Sequence, residues 1–197
     1  MKREDWNRRY AEPGLLWSAA PNRFLVSEVN ELAPGRALDL ACGEGRNAVW
    51  LAERGWNVVG VDYSDAALAK AAELAAERGV AVDLVNADLL DYAPEPRAFD
   101  LVCVLYLQLP AAERRPILER AAGAVASGGA FLLVGHDLTN LEHGHGGPSD
   151  PAVLLTPEDV AAELPGLDVV KAERVLRPVE NADRPAIDAL VRAHRFT

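Results

Sequence analysis

The stretch LDLACGEGRNAVWL, residues 38–51, decides the fold. A short apolar run carrying one acid, Asp39, meets two glycines one residue apart, Gly43 and Gly45, and then a segment of helical spacing. That order is strand, tight turn, helix, and glycines at such a turn let the backbone approach a nucleotide. Two kinds of nucleotide cofactor use turns of this sort, and they ask for opposite charges at it.

Working outward, strand-like and helical segments alternate. RALDLAC (36–42) reads as a buried strand and GRNAVWLAERG (45–55) as a helix stopped by Gly55. WNVVGVDYS (56–64) is a second strand, with Ser64 or Asp65 capping the Ala-rich helix DAALAKAAELAAERG. VAVDLVNAD (80–88) is a third strand and FDLVCVLYL (99–107) a fourth. AAERRPILERAAGAVASGG is a helix ended by Gly128 and Gly129, in which Pro116 is expected to make a kink or mark the true start. AFLLVGH (130–136) is the fifth strand. A Gly- and His-bearing loop (137–150) and a short helix opening at Thr156-Pro157 follow. LDVVKAERVLRPV (167–179) and AIDALVRAHRF (186–196) are joined by a link too short for a crossover helix, so they are expected to pair antiparallel. Five buried strands separated by helices predict an α/β fold, a doubly wound sheet of five parallel strands closed by a C-terminal antiparallel hairpin.

Composition narrows the class of function. At 197 residues and 50% hydrophobic content the chain fits one domain with a sizeable core. No apolar stretch is long enough for a membrane span, and MKREDWNRRY lacks the apolar region of a secretory signal. Cys42 and Cys103 sit in apolar strand contexts and read as buried thiols of a reducing, cytoplasmic compartment. Twenty basic residues against thirty acidic ones give a formal charge of −10, a field that repels phosphodiester backbones; nucleic acid is therefore not the expected partner.

Gly43-x-Gly45-x-x-Ala48 satisfies a loose dinucleotide pattern, and Asp62 is an acid at the second strand's tip. The charges argue otherwise. A pyrophosphate on this helix N-terminus would meet Asp39 and Glu44, against the anion preference of such a site. S-adenosylmethionine carries a sulfonium and an ammonium and no phosphate, so acids suit it.

The segment LDLACGEG resembles the first motif of the class I S-adenosylmethionine-dependent methyltransferases, an acid followed by three glycines at alternate positions. Here the acid is Asp39 and the alternate positions are Ala41, Gly43 and Gly45, so Ala41 departs from the pattern. GEGRNAVWLAERGWNVVGVD, with the N-terminal WNRRYAEPGLLWSAAPNRFL, is similar to the small tellurite- and thiopurine-type methyltransferases, in which a Trp-bearing N-terminal helix and loop fold over the cofactor. The resemblance implies a Rossmann-like single methyltransferase domain over residues 1–197, with 1–33 as helix and lid and 34–197 as core. It implies that Asp62 binds the ribose and Asp88 the adenine amino group. Around them it implies cofactor contacts from Trp17, Asp39, Ala41, Gly43, Gly45, Asn47, Tyr63, Leu89 and Val104. Between Arg46 and Asn47, Asn47 is the expected contact of the methionine carboxylate.

Trp6, Tyr10 and Trp17 follow helical spacing until Pro13-Gly14 interrupts it, which leaves Trp17 in a loop where an indole face can meet a cation or pack as lid. His136 and Asp137 end the fifth strand and Tyr106 lies near the end of the fourth, at the carboxyl edge where open α/β sheets bind ligands. These three are the candidate acceptor-side, catalytic residues. A metal site at His136, His143 and His145 is not expected, because a Gly-rich loop is a weak ligand frame. The function expected is transfer of a methyl group to a small-molecule acceptor (thiol, metalloid oxyanion, hydroxyl or amine) by a monomer or homodimer, with no membrane partner. Two other readings compete: a nicotinamide-dependent oxidoreductase and a non-catalytic S-adenosylmethionine-binding protein. The first lacks a Tyr-x-x-x-Lys pair of the short-chain dehydrogenase kind.

Overall fold

The computed structural model describes residues 3–196; the first two residues of the expected lid and the last residue of the chain lie outside them. Seven strands form one sheet in the order β3-β2-β1-β4-β5-β7-β6. They are β1 (Arg36–Leu40), β2 (Asn57–Asp62), β3 (Asp83–Asn86), β4 (Phe99–Leu105), β5 (Val125–His136), β6 (Asp168–Arg177) and β7 (Ala186–His194). The first five run parallel, and β7 pairs antiparallel with both β5 and β6. The sheet is thus the one the alternation of segments predicts.

Alternation along each strand divides the core into two layers. Leu38, Leu40, Val102 and Val104 point to one face, where Ile117, Leu118 and Ala121 of α5 (Ala111–Ala124) and Val160 of α7 (Pro157–Ala162) cover them. Ala37, Leu101, Cys103 and Leu105 point to the other, covered by α2 (Arg23–Val29) and α3 (Arg46–Glu53) through Leu25, Val29, Ala48 and Leu51. The helix α4 (Asp65–Arg78) flanks α3 and shares with it the small cluster Val49, Leu74 and Ala75. Ahead of them α1 (Arg3–Tyr10) touches α4, and the short α6 (Asn140–His143) follows β5.

Two local expectations are corrected. Pro116 lies in the second turn of α5, five residues past its start, so it does not open the helix. Nor do Gly128 and Gly129 end it: α5 stops at Ala124, where Val125 turns extended and pairs with Phe99. The register then shifts, and Ala130 pairs with Leu101 across a bulge at whose centre Gly128 holds φ +78°.

The turn after β1 shows what its glycines do. Gly45 caps α3 at φ +78°, and a Cβ on it would stand 2.7 Å from the Cβ of Ala71, so glycine is what lets α3 start close against α4. Ala41, at the departing position, holds φ +61°. An L-residue with a Cβ pays for that conformation in strain.

Candidate active site

A cavity of about 810 Å³ opens along the carboxyl ends of β1, β2, β4 and β5. Its size falls in the upper part of the ~300–1,000 Å³ usual for ligand sites. Its wall follows the sheet order, from Asp88 and Leu89 after β3, through Asp62 ending β2 with Tyr63 beyond it and the Ala41–Glu44 turn after β1, to Tyr106 after β4 and His136 ending β5.

The acids of the turn are held in different ways. Asp62 accepts backbone hydrogen bonds from Gly43 N at 2.9 Å and Ser64 N at 2.9 Å, and so ties the glycine turn to the tip of β2. Asp39 is almost fully buried and neither of its carboxylate oxygens has a hydrogen-bond partner. Burial, reinforced by the charge of Asp62 and opposed by Arg46, pushes its pKa up to about 7. Asp88 lies exposed at the cavity edge, with Oδ1 accepting from Leu90 N at 2.9 Å.

Glu44 performs a task that the electrostatic reading of the sequence missed. Its carboxylate accepts from Leu16 N at 2.9 Å and Trp17 N at 3.1 Å, and Lys70 approaches it at 3.2 Å. Lys70 also donates to the carbonyls of Glu12 and Gly14, so one acid and one lysine fasten the N-terminal segment over the glycine turn. Above that turn Trp6 stacks on Tyr10 at 5.6 Å, and the Tyr10 hydroxyl stands where a Cβ on Gly43 would come within 3.1 Å. Trp6, Tyr10 and Trp17 all line the cavity. The helical spacing of these aromatics and the break at Pro13-Gly14 were visible in the sequence; the latch was not.

Of the residues expected at the cofactor, Trp17, Ala41, Gly43, Asn47, Asp62, Tyr63, Asp88 and Leu89 line the cavity. Asp39 and Gly45 lie behind its wall, one beneath the turn and the other packed on α4. Val104 is a correction: alternation along β4 turns it into the core with Leu38 and Leu118, and the cavity is reached instead by Leu105 and Tyr106. Asn47 spends its Oδ1 on Asn22 N at 2.8 Å, where Asn22 caps α2. Arg46 lines the cavity beside it with no hydrogen bond or ion pair of its own among the described residues.

The acceptor-side candidates separate in the same way. Tyr106, at φ +59°, and His136 both line the cavity, with their rings 4.9 Å apart. Asp137 does not. It is fully buried, receives Thr139 N at 2.8 Å and Arg174 Nε at 3.2 Å, and serves the turn that follows β5. The reason is strand alternation: if His136 faces the cavity, its neighbour faces away.

Asp188 takes the place that Asp137 was expected to hold. It is the register partner of His136 on β7, and its Oδ2 accepts from the Tyr106 hydroxyl at 2.7 Å and from Arg177 Nε at 2.7 Å. Its Oδ1 lies 3.4 Å from His136 Nδ1. Burial opposes its ionisation, but the nearby His136 ring and the hydrogen bonds from Arg177 and Tyr106 outweigh this and hold its pKa below the usual carboxylate value. Tyr106 moves the opposite way: burial and the adjacent Asp188 charge hold its phenol proton firmly. A lone acid in the apolar run AIDALV was the sequence signal for Asp188. Among the described residues no three His, Cys, Asp or Glu side chains converge as a metal site would require, and His143 and His145 are exposed.

Residues 37–129 match the methyltransferase domain family. The chain is similar to the demethylmenaquinone methyltransferase of Thermus thermophilus, 36% identical over 114 residues that cover 57% of this chain and 52% of that one. It spans about half the length, or less, of the curated relatives it matches. Among solved structures, one from work on conversion of a disulfide bond into a thioacetal group in echinomycin biosynthesis aligns at TM-score 0.77 and 22% identity, covering 98% of this chain and 92% of that one. TehB from Haemophilus influenzae aligns at TM-score 0.71 and 15% identity, covering 98% and 66%. These two share the fold. The methyltransferase-domain match spans the glycine turn and the first four strands, and with this sheet it supports a class I S-adenosylmethionine-dependent methyltransferase.

Proposed function

We propose that the protein transfers the methyl group of S-adenosylmethionine to a small-molecule acceptor. The observation that carries this reading is the cavity along the sheet edge, acidic around the glycine turn and bearing an imidazole and a phenol at its β4–β5 end. The acids Glu44, Asp62 and Asp88 on the cavity wall suit a cationic nucleoside and would repel a pyrophosphate. The demethylmenaquinone relative is named for a small-molecule acceptor, and a chain of charge −10 is a poor match for nucleic acid.

When bound, the cofactor supplies an already activated methyl carbon. The chain's part is then alignment and exclusion of water. Asp62 holds the ribose hydroxyls and Asp88 the adenine amino group. Arg46 and Asn47 meet the methionine carboxylate, Arg46 with its free guanidinium. Tyr106 and His136 face the acceptor, and residues 3–22 cover both ligands. The whole chain acts as one domain, with 1–33 as its lid, working in the cytoplasm as a monomer or homodimer. Its two buried cysteines are unpaired, as a reducing compartment allows, and no described helix is long and apolar enough to cross a membrane.

Calorimetry with S-adenosylhomocysteine tests the reading. Wild type is expected to bind in the micromolar range, and Asp62→Ala to lose about 1.5–3 kcal/mol, the range for hydrogen bonds to a charged group. Tighter binding of NAD than of S-adenosylhomocysteine would overturn it.

A further inference from the structure

We infer that His136 and Asp188 form a base dyad that commits the site to acceptors attacking through a hydroxyl, an aromatic hydroxyl above all. The inference rests on the methyltransferase reading and specifies its acceptor.

Two buried polar atoms without hydrogen-bond partners face each other here, His136 Nδ1 and Asp188 Oδ1, 3.4 Å apart. Orphaned buried groups are costly, and these two satisfy one another if Nδ1 carries the ring proton and the gap closes by a few tenths of an ångström. Catalytic hydrogen bonds tighten in this way when ligands bind. The other oxygen of Asp188 is already fixed by Arg177 Nε and the Tyr106 hydroxyl, so the carboxylate cannot swing away. Tyr106 lies against the imidazole, and Gly147 closes in on the ring so tightly that a Cβ there would stand 2.9 Å from Nδ1. Held from these directions, with Nδ1 as the protonated nitrogen, the ring presents Nε2 with its lone pair. Nε2 is not among the buried atoms that lack a hydrogen-bond partner, and His136 lines the cavity.

A base so placed is useless to an acceptor that arrives as an anion and needed by one that arrives as a hydroxyl. In the step proposed, the acceptor oxygen gives its proton to Nε2 while its lone pair bonds the methyl carbon. The electrons of the broken carbon–sulfur bond stay on sulfur, and the imidazolium, stabilised by Asp188, then loses the proton to solvent. Trp6, Tyr10 and Trp17 in the same cavity wall favour a flat aromatic body on the acceptor. Asp188 does not line the cavity; it acts through His136 and is a positioning residue.

The experiment uses the full chain with S-adenosylmethionine and two probe acceptors: catechol, and thiophenol, which is ionised at neutral pH. In Asp188→Asn and in His136→Gln, kcat for catechol is expected to fall about 10²-fold or more, with KM changed less than about threefold. The thiophenol rate is expected to fall at least about tenfold less than the catechol rate, because that acceptor has no proton to give up. Equal losses with both acceptors would show that Asp188 merely maintains the shape of the cavity, and a wild type that methylates thiophenol but not catechol would overturn the acceptor class. Long-range ¹H–¹⁵N NMR of the wild type reads the tautomer directly, even if Asp188→Asn does not fold. A proton on Nδ1 is expected; a proton on Nε2 defeats the dyad whether or not any acceptor turns over. Failure of S-adenosylhomocysteine to bind would instead remove the methyltransferase reading, so the two failures are distinguishable.

Discussion

Glu44 Oε2 accepts the backbone N–H of Trp17 at 3.1 Å, so the acid between the two glycines of the cofactor turn is also the hook for the lid. Its other oxygen takes Leu16 N and the Lys70 ammonium, and the side chain is buried. Removing it as Glu44→Ala leaves two backbone donors without their acceptor and the Lys70 ammonium without its counter-charge. Each hydrogen bond to a charged group contributes about 1.5–3 kcal/mol, so opening of residues 11–20 is expected to become at least ~10-fold more frequent. Limited proteolysis reads this as faster cleavage in that segment, slowed less by S-adenosylhomocysteine than in wild type. Unchanged cleavage would mean that the packing of Trp6, Tyr10 and Trp17 holds the segment without the latch.

Ala41 sits at φ +61° where the family motif carries its first glycine. The left-handed conformation costs an L-residue about 1–2 kcal/mol, and glycine gives back roughly 0.5–1 kcal/mol of this through its looser unfolded chain. Ala41→Gly is therefore expected to stabilise the fold by about 0.5–1 kcal/mol in urea denaturation. A destabilised variant would show that the methyl group of Ala41, which packs against the apolar core on that face, outweighs the strain.

What the sequence made legible, and what it did not, divides along a physical line. The parallel strands, the closing hairpin and the acids at strand tips follow from local patterns: apolar runs, glycine turns, and an acid just past a strand. Strand alternation was legible too, and applied at His136 it excludes Asp137 from the cavity, as applied at Leu105 it excludes Val104. The partners of Asp188 were beyond reach. Tyr106 stands 82 residues before it and Arg177 belongs to the neighbouring strand, so only the pairing of β5, β7 and β6 brings the four side chains together. Glu44 was likewise legible as a charge but not as a latch, because the backbone it binds lies in a loop with no periodicity.

Asp39 gives the protein an unusual dependence on pH. Its carboxyl keeps its proton in the fold up to about pH 7, whereas in the unfolded chain it loses it near the ordinary value of 3.8. Between those values the native state binds more protons than the unfolded one, so stability falls as pH rises through that window and levels off above it. The loss attributable to this one group is on the order of 4 kcal/mol at most. Asp39→Asn has no proton to lose. Urea denaturation at pH 5 and pH 8 should show wild type losing stability relative to that variant over the interval. Parallel behaviour of the two proteins would place Asp39 in a more polar setting than its buried, unpartnered oxygens indicate.

Arg46 and Asn47 stand side by side after the glycine turn, and the structure gives them different tasks. Asn47 is occupied with Asn22 N and braces the start of α2, so Asn47→Ala is expected to lower stability first. Arg46 has no hydrogen-bond or ion-pair partner among the described residues, and its charge lies near Arg177, which it repels. A half-buried cation so placed calls for an anion, and the methionine carboxylate is the one the cofactor offers. Arg46→Met keeps the stem of the side chain and removes the charge. It is expected to weaken S-adenosylhomocysteine binding by about 1.5–3 kcal/mol, the range for a charged hydrogen bond. Adenosine shares the nucleoside and lacks the carboxylate, so its affinity should change less than about twofold. Equal weakening of both ligands in calorimetry would mean that Arg46 shapes the cavity wall, and would return the carboxylate to Asn47.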